Sequence, residues 1–266
     1  MKLATWNVNS VRAREGRPLR WLGAARPDVV CLQELKVTDE AFPAEALRQA
    51  GFRAAVHGQK TYNGVAVLAR SEPAAPERGF GDGGDDAAAR LLTVRMGELH
   101  VASAYVPNGG VVGSDKWAYK LEWLARLRCW LDRRFAKSDL VALCGDFNVA
   151  PEPRDVCDPE AWAASVLFHP EARAALGQVK AWGLVDALRL HRQEAGLYTW
   201  WDYRTLAFPK DRGLRIDHVL LSEPLARRCR SASIAKDERK GQDPSDHVPV
   251  IVELELPAGG AISSAA

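Results

Sequence analysis

The chain has 266 residues, 47% of them hydrophobic and 26% charged, with a formal net charge of +2. That is ample apolar material for a large core, and too near neutrality for charge alone to name a polyanionic partner. The five cysteines lack metal-ligand spacing, no run approaches the ~20 apolar residues of a membrane span, and MKLATWNVNS has no apolar signal core. A soluble intracellular protein with reduced thiols is expected, without a disulfide scaffold or membrane contact.

In chain order, Lys2–Trp6 reads as a strand that delivers Asn7, and Pro18–Arg26 as a helix. Pro27-Asp28 then opens the apolar run Val29–Leu32, ending at Gln33-Glu34. Such continuous runs suit strands buried on both faces. Gly64–Arg70, Arg90–Arg95 and Glu98–Val106 are further strands, and 71–87 reads as a loop. Ser114 looks like an N-cap. From there Trp117, Leu121, Leu124, Leu127, Leu131 and Phe135 recur at helical spacing to about residue 136. Leu140–Cys144 is an apolar strand ending in Gly145-Asp146-Phe147-Asn148. The stretch 160–195 is helical in composition, Ile216–Ser222 and Pro249–Leu256 are strands, and 257–266 is expected to be a disordered tail. The reading is a single α/β domain over 1–256.

Several apolar strands meet an acid or amide at one end: Asn7, Glu34, Asp146 with Asn148, and Asp217, with Ser245-Asp246-His247 just before the last strand. Neighbouring strand ends lie close together, so these groups can converge on one mouth. One such residue alone is most simply a chain returning to water, Asn7 a turn former, His247 a surface histidine and Tyr105 a core or edge aromatic. The repeated pattern is what argues for a site. Hard oxygen donors without cysteine favour magnesium, manganese or calcium over zinc, and magnesium in particular points to phosphate chemistry. Spacing alone reaches "metal-dependent hydrolase".

The ordered set WNVNSVR (6–12), PDVVCLQELK (27–36), GQKTYNGVAVLAR (58–70), AYVPNGG (104–110), GDFNVAP (145–151), YTWWDYR (198–204), GLRIDHVLLS (213–222) and SDHVPV (245–250) resembles the exonuclease III family, within the endonuclease/exonuclease/phosphatase superfamily. The matches run along nearly the whole chain. The resemblance implies a DNase I-like four-layered α/β sandwich, two mixed sheets face to face with helices outside. It implies a Mg2+ cofactor, with Mn2+ as substitute, and a double-stranded DNA partner carrying abasic sites or blocked 3′ ends. It also implies a monomer acting on DNA in the bacterial cytoplasm, at the nucleoid.

By motif position, the resemblance makes Glu34 the principal metal ligand with Asn7 beside it, and Asp246 the residue that completes the shell. Asp146, Asn148 and His247 border the same metal. Asp146 would deprotonate the attacking water, and Asn148 would donate to the phosphate. His247, oriented by Asp217, would contact the scissile phosphate, and Tyr105 would bond the phosphate or assist the leaving oxygen. Trp200 and Leu214 would wall a pocket for a flipped-out abasic sugar. Asn108, Arg12, Lys36, Lys60, Lys116, Arg212 and Lys240 are candidate DNA contacts. The chain departs from relatives at Leu35, where Thr is commoner, at Asn9, where some animal members carry an acid, at Val111, where some place a DNA-wedging arginine, and at Leu214, where some have an aromatic. Two other readings are a phosphodiesterase acting on RNA, lipid or inositol phosphate, and a non-catalytic nucleic-acid-binding relative. AYVPNGG and GLRID argue against the first, and retention of Glu34, Asp146 and His247 argues against the second.

Overall fold

The structure is a computed structural model that describes residues 1–84 and 88–256; the expected tail, 257–266, lies outside the described residues. The first strands are β1 (Lys2–Asn7), β2 (Val29–Gln33), β3 (Arg53–His57), β4 (Val65–Ala69), β5 (Ala74–Arg78) and β6 (Leu91–Met96). The others are β7 (Leu99–Tyr105), β8 (Leu140–Asp146), β9 (Leu184–Asp186), β10 (Asp217–Ser222), β11 (Cys229–Ile234) and β12 (Val250–Leu254). They form two six-stranded sheets, ordered β11-β12-β1-β2-β4-β3 and β5-β6-β7-β8-β10-β9. Both are mixed: β1–β2 and β7–β8 are parallel pairs, and their other neighbours are antiparallel.

Alternation within the apolar runs builds the layers. In β2, Val29 and Cys31 point between the sheets, where they join Leu92, Val101, Ala142, Cys144 and Val219 of the other sheet. Val30 and Leu32 point outward with Trp6, Trp21, Leu22 and Leu47, under the helices α1 (Gly16–Ala25) and α2 (Ala44–Gln49). The outer face of the second sheet is covered by α3 (Asp115–Arg134) and by a helix at Pro170–Lys180. This is the four-layered sandwich that the motifs imply. A strand buried on both faces has no polar side, which is why these runs are continuously apolar.

α3 begins where Ser114 Oγ accepts the Trp117 amide at 3.3 Å, as its cap sequence predicts. Its stripe of Trp117, Trp123, Leu124, Leu127, Trp130 and Leu131 is buried, each such side chain contributing ~1.5–3 kcal/mol.

Four strands differ from the sequence reading. β5 lies inside the segment read as a loop; all its residues are exposed at a sheet edge, so it carries no apolar signal. β3 and β11 are likewise edges of the first sheet, with only partial apolar character. The stretch 160–195, read as helical throughout, is interrupted by the three-residue β9, which pairs with β10.

Candidate active site

Register delivers the polar groups. Parallel pairing sets Tyr105 opposite Asp146, and antiparallel pairing sets Asp217 opposite Asp146, so three functional side chains lie side by side at one end of the second sheet. The parallel β1–β2 pair ends at Asn7 and Gln33, one residue before Glu34, on the facing sheet. Ser245 Oγ donates to the Asn7 carbonyl at 2.8 Å and Trp6 Nε1 to the His247 carbonyl at 3.2 Å, which ties the SDH segment to the end of β1. Gly145 precedes Asp146 because a Cβ there would sit 1.9 Å from the Ala104 carbonyl oxygen.

The Asn7 amide bridges two carboxylates, donating at 2.9 Å to Glu34 Oε1 and at 2.9 Å to Asp146 Oδ2. Its own Oδ1 accepts the Asn9 amide. Tyr105 OH donates to Glu34 Oε1 at 2.8 Å, and Lys36 Nζ lies 2.8 Å from Glu34 Oε2. Glu34, Lys36 and Asn148 hold left-handed backbone conformations (φ +53°, +57°, +50°), a strain that is common at functional sites. His247 Nδ1 is 2.8 Å from Asp217 Oδ2, and its Nε2 faces Asp146 Oδ2 at 3.7 Å.

Burial pushes the Asp146 carboxyl up to about 7, opposed by His247 and reinforced by Asp217 and Glu34. Burial acts to depress His247, but Asp217 and Asp146 outweigh it and hold the imidazole up at about 10, largely as a cation at neutral pH. For Glu34, burial is opposed by Lys36 and Asn7, which carry its carboxyl below the ordinary value. Burial and the Glu34 and Asp146 charges raise Tyr105, which remains a hydrogen-bond donor.

One donor atom each from Glu34, Asp146 and His247 falls within 4.8 Å of the others. Two carboxylates crowded at the end of buried strands, with Lys36 as counter-charge to Glu34, suit a hard divalent cation that would relieve their repulsion. Asp246 stands outside this trio: its oxygens accept from Asn9 Nδ2 and Trp200 Nε1, both at 2.9 Å. Asn148 Nδ2 is turned to the Val106 carbonyl (3.0 Å) and Asp146 Oδ2 (3.3 Å), while the exposed Asn108 donates to Asn148 Oδ1. Asn108 is therefore the member of this amide pair that faces out of the site.

Trp200 bridges Leu214 and His247 in the backbone and stands with its ring 6.5 Å from the imidazole. Leu214 is 0% exposed and belongs to the core, so it backs this region without offering an open wall. Trp201 is buried in a separate cluster with Ala207 and Val248. Arg12, Lys60, Lys116 and Arg212 are exposed. Lys36 is engaged by Glu34, and Lys240 pairs with Asp237. A cleft of about 710 Å³ opens from Glu34 and Tyr105 past Lys36, Asn108 and Lys116. Of the Lys and Arg side chains in 200–240, Arg215 is buried, and Arg204, Arg227, Lys236 and Lys240 pair with nearby acids.

A second polar cluster, invisible to motif reading, supports the loop from behind. Buried Arg215 donates to Asp155 (2.6 and 3.1 Å), Asp186 (2.8 Å) and His218 Nδ1 (3.0 Å). That leaves His218 Nε2 to donate to the Val149 carbonyl at 2.9 Å, one residue beyond Asn148. Thr199 Oγ1 accepts the amides of Ile216 and Asp217, both at 3.1 Å. The available sequence signal was Arg215 and His218 inside an otherwise apolar strand entry, and Lys120 on the apolar stripe of α3.

The sequence profile of the endonuclease/exonuclease/phosphatase family matches residues 4–247. The chain belongs to this family. It is 36% identical to exodeoxyribonuclease III of Haemophilus influenzae over 96% of this chain and 100% of that protein. An AP endonuclease structure from Archaeoglobus fulgidus superposes with TM-score 0.93 at 36% identity, covering 96% of this chain and 100% of the other. A Neisseria 3′ phosphatase, NExo (D146N), bound to a product DNA hairpin, also gives TM-score 0.93 at 36% identity, again over 96% and 100%. Among the described residues no helix is long and apolar enough to cross a membrane.

Proposed function

We propose that this protein is a magnesium-dependent DNA repair hydrolase that cuts the phosphodiester 5′ to abasic sites and also removes nucleotides and blocking groups from 3′ ends. The observation that carries the reading is the convergence of Asp146 with the Asp217–His247 pair beside Glu34 and Asn7. The named relatives, an exodeoxyribonuclease III, an AP endonuclease and a 3′ phosphatase, support DNA as the substrate.

In-line hydrolysis needs an oriented water, donors for the non-bridging oxygens and relief of charge on the leaving 3′-oxygen. Asp146, with its carboxyl raised toward neutrality, is the base that takes the water's proton. His247, kept protonated by Asp217, donates from Nε2 to the phosphate. Tyr105 and the Asn108–Asn148 amide pair border the same space. Glu34, with Asp146 and Asn7 at hand, would hold the cation, and Asp246 is a further candidate carboxylate for it. A Mg2+ ion held there would supply Lewis-acid neutralisation of phosphate charge, and Mn2+ would be the natural substitute. Trp200 borders the entrance for a flipped-out sugar. The protein works as a monomer on DNA in the cytoplasm.

The test is cleavage of matched duplexes carrying an abasic site, a 3′-phosphate, a recessed 3′ end or an RNA strand, with and without Mg2+. Incision at the abasic site that requires the metal is expected. Activity confined to RNA, or to a phospholipid or inositol phosphate offered in parallel, would overturn the assignment.

A further inference from the structure

Lys120 sits within α3 and is 0% exposed. An ammonium so buried is costly unless each of its protons finds an acceptor. Nζ donates to three carbonyls: Asn108 at 3.0 Å, Asn148 at 2.7 Å and Val166 at 2.7 Å. These belong to three separate segments: the loop after β7, the turn after β8, and the turn leading into the helix at Pro170–Lys180. The loop after β7 is shaped around the lysine stem. A Cβ on Gly109 would come within 2.9 Å of Lys120 Cδ, and Gly109 has φ +97°. Two of the three acceptor residues are the amides that face each other across the site, Asn108 Nδ2 donating to Asn148 Oδ1 at 3.2 Å. Asn148 also holds φ +50°, a left-handed conformation that asparagine adopts more readily than most residues.

We propose that Lys120 is a positioning residue for phosphodiester hydrolysis: its Nζ fixes the peptide carbonyls of Asn108 and Asn148, and so sets the Asn108–Asn148 amide pair and Asp146 relative to the phosphate. Resting on the DNA hydrolase reading above, it goes beyond that reading in giving a buried residue, remote from substrate, control over the geometry of the reacting groups. The plain alternative is a lysine that ties α3 to the sheet and affects stability alone. The two differ in what the folded variant does. A tie affects the melting temperature and leaves the folded enzyme's rate intact, whereas a positioning group affects the rate at saturating substrate.

The discriminating variant is Lys120→Met, which keeps the length and apolar stem and removes all three donors. Single-turnover cleavage of an abasic duplex is measured with saturating enzyme and Mg2+, well below the variant's Tm, and duplex affinity is measured separately in chelator. The rate should fall roughly 100-fold, the cost typical of misplaced reacting groups, with Kd within about threefold of wild type. In an Asn108→Ala background the same substitution should cost less, because one of the groups it positions is gone. A folded Lys120→Met enzyme turning over within about threefold of wild type overturns the proposal, as does a rate loss that simply multiplies with that of Asn108→Ala. If Lys120→Met does not fold, Lys120→Gln, which retains one amide donor, is judged by the same criteria. Failure of both to fold makes the role structural and overturns the proposal. A wild type that cleaves no duplex overturns the reading of the site itself, an outcome distinct from an active wild type with an undiminished variant.

Discussion

His247 Nε2 lies 3.7 Å from Asp146 Oδ2, and both side chains are buried to within a few per cent. The gap is longer than a hydrogen bond yet within ion-pair reach, so the two groups attract each other across a space that both face. Each is shifted in the direction its proposed role needs, the carboxyl up to about 7 and the imidazole up to about 10.

Asp146→Asn keeps the shape and can still accept the Asn148 backbone N–H through Oδ1, but removes the base. The single-turnover rate should fall roughly 10²–10⁴-fold, with duplex affinity little changed. Rapid-quench kinetics beside a binding titration in chelator would check this. Equal losses in rate and affinity would assign Asp146 to substrate binding.

Glu34→Ala removes the carboxylate that accepts from both Asn7 and Tyr105 and faces Lys36. Calorimetric titration with Mn2+ should show one binding event in wild type and its loss in the variant, while the circular dichroism spectrum is retained. Unchanged Mn2+ binding would move the metal away from this strand end.

His218 gives a pH dependence of stability. Burial and neighbouring Arg215 depress its pKa from 6.5 to about 4, so the fold favours the neutral ring. A depressed pKa means that this contribution is complete above pH 6.5 and is lost as pH falls toward 4, on the order of 3 kcal/mol in all. Asp146 runs the opposite way in the same window, since its raised pKa favours the protonated acid as pH falls. Urea unfolding is therefore best compared in an Asp146→Asn background, where stability should drop between pH 6.5 and 4.5. Adding His218→Gln should flatten that drop. An unchanged slope would show that His218 is not the titrating group.

How much of this was legible follows from which residues carry a one-dimensional signal. β1, β2, β4, β7, β8 and β10 read as strands because both their faces are buried; β3, β5 and β11 did not, because edge strands share their composition with loops. Asp146, Glu34, Asp217 and His247 were legible because each interrupts or abuts an apolar run at the same end of its sheet. Their pairing was not legible, since Asp217 and Asp146 meet through a register that only the folded sheet fixes. Lys120 and Arg215 were passed over because a cation in an apolar stripe looks like noise until its acceptors, backbone carbonyls and carboxylates far along the chain, are in place. Leu214 was placed opposite Trp200 by motif position, and the two do pair, yet the leucine faces the core.

Duplex binding should be driven mainly by the backbone, and its salt dependence should sort the candidate cations. Exposed Lys60 and Lys116 can each neutralise a phosphate, whereas Lys240 is held by Asp237. Lys116→Ala should reduce the log-log salt slope of the dissociation constant by about 0.9, and Lys240→Ala should leave it nearly unchanged. Fluorescence anisotropy across a salt series gives both slopes. A larger effect at Lys240 than at Lys116 would put the DNA on the other side of the mouth.

Lesion choice should rest on Trp200. Its Nε1 donates to Asp246 Oδ2, its ring stands 6.1 Å edge-on to Trp162 and 6.5 Å from His247, and its backbone is clamped to Leu214. The indole is thus fixed on three sides and remains partly exposed beside the imidazole. Since Leu214 is covered, the proposed discrimination should rest on the tryptophan. A baseless sugar is small, and flipping it out breaks no base pair, so a rigid aromatic edge at the entrance can admit it while hindering an intact nucleotide. Trp200→Ala removes that aromatic edge and one of the two donors to Asp246, leaving the bond from Asn9. Abasic cleavage should slow, and the ratio of rates on abasic and intact duplexes should fall about tenfold, the size of effect expected when one shape contact separates two substrates. Mn2+ binding at Glu34 should persist, which separates a damaged entrance from a damaged metal site. An unchanged ratio with slower cleavage of both duplexes would make Trp200 a support for Asp246 and move lesion recognition elsewhere on the mouth.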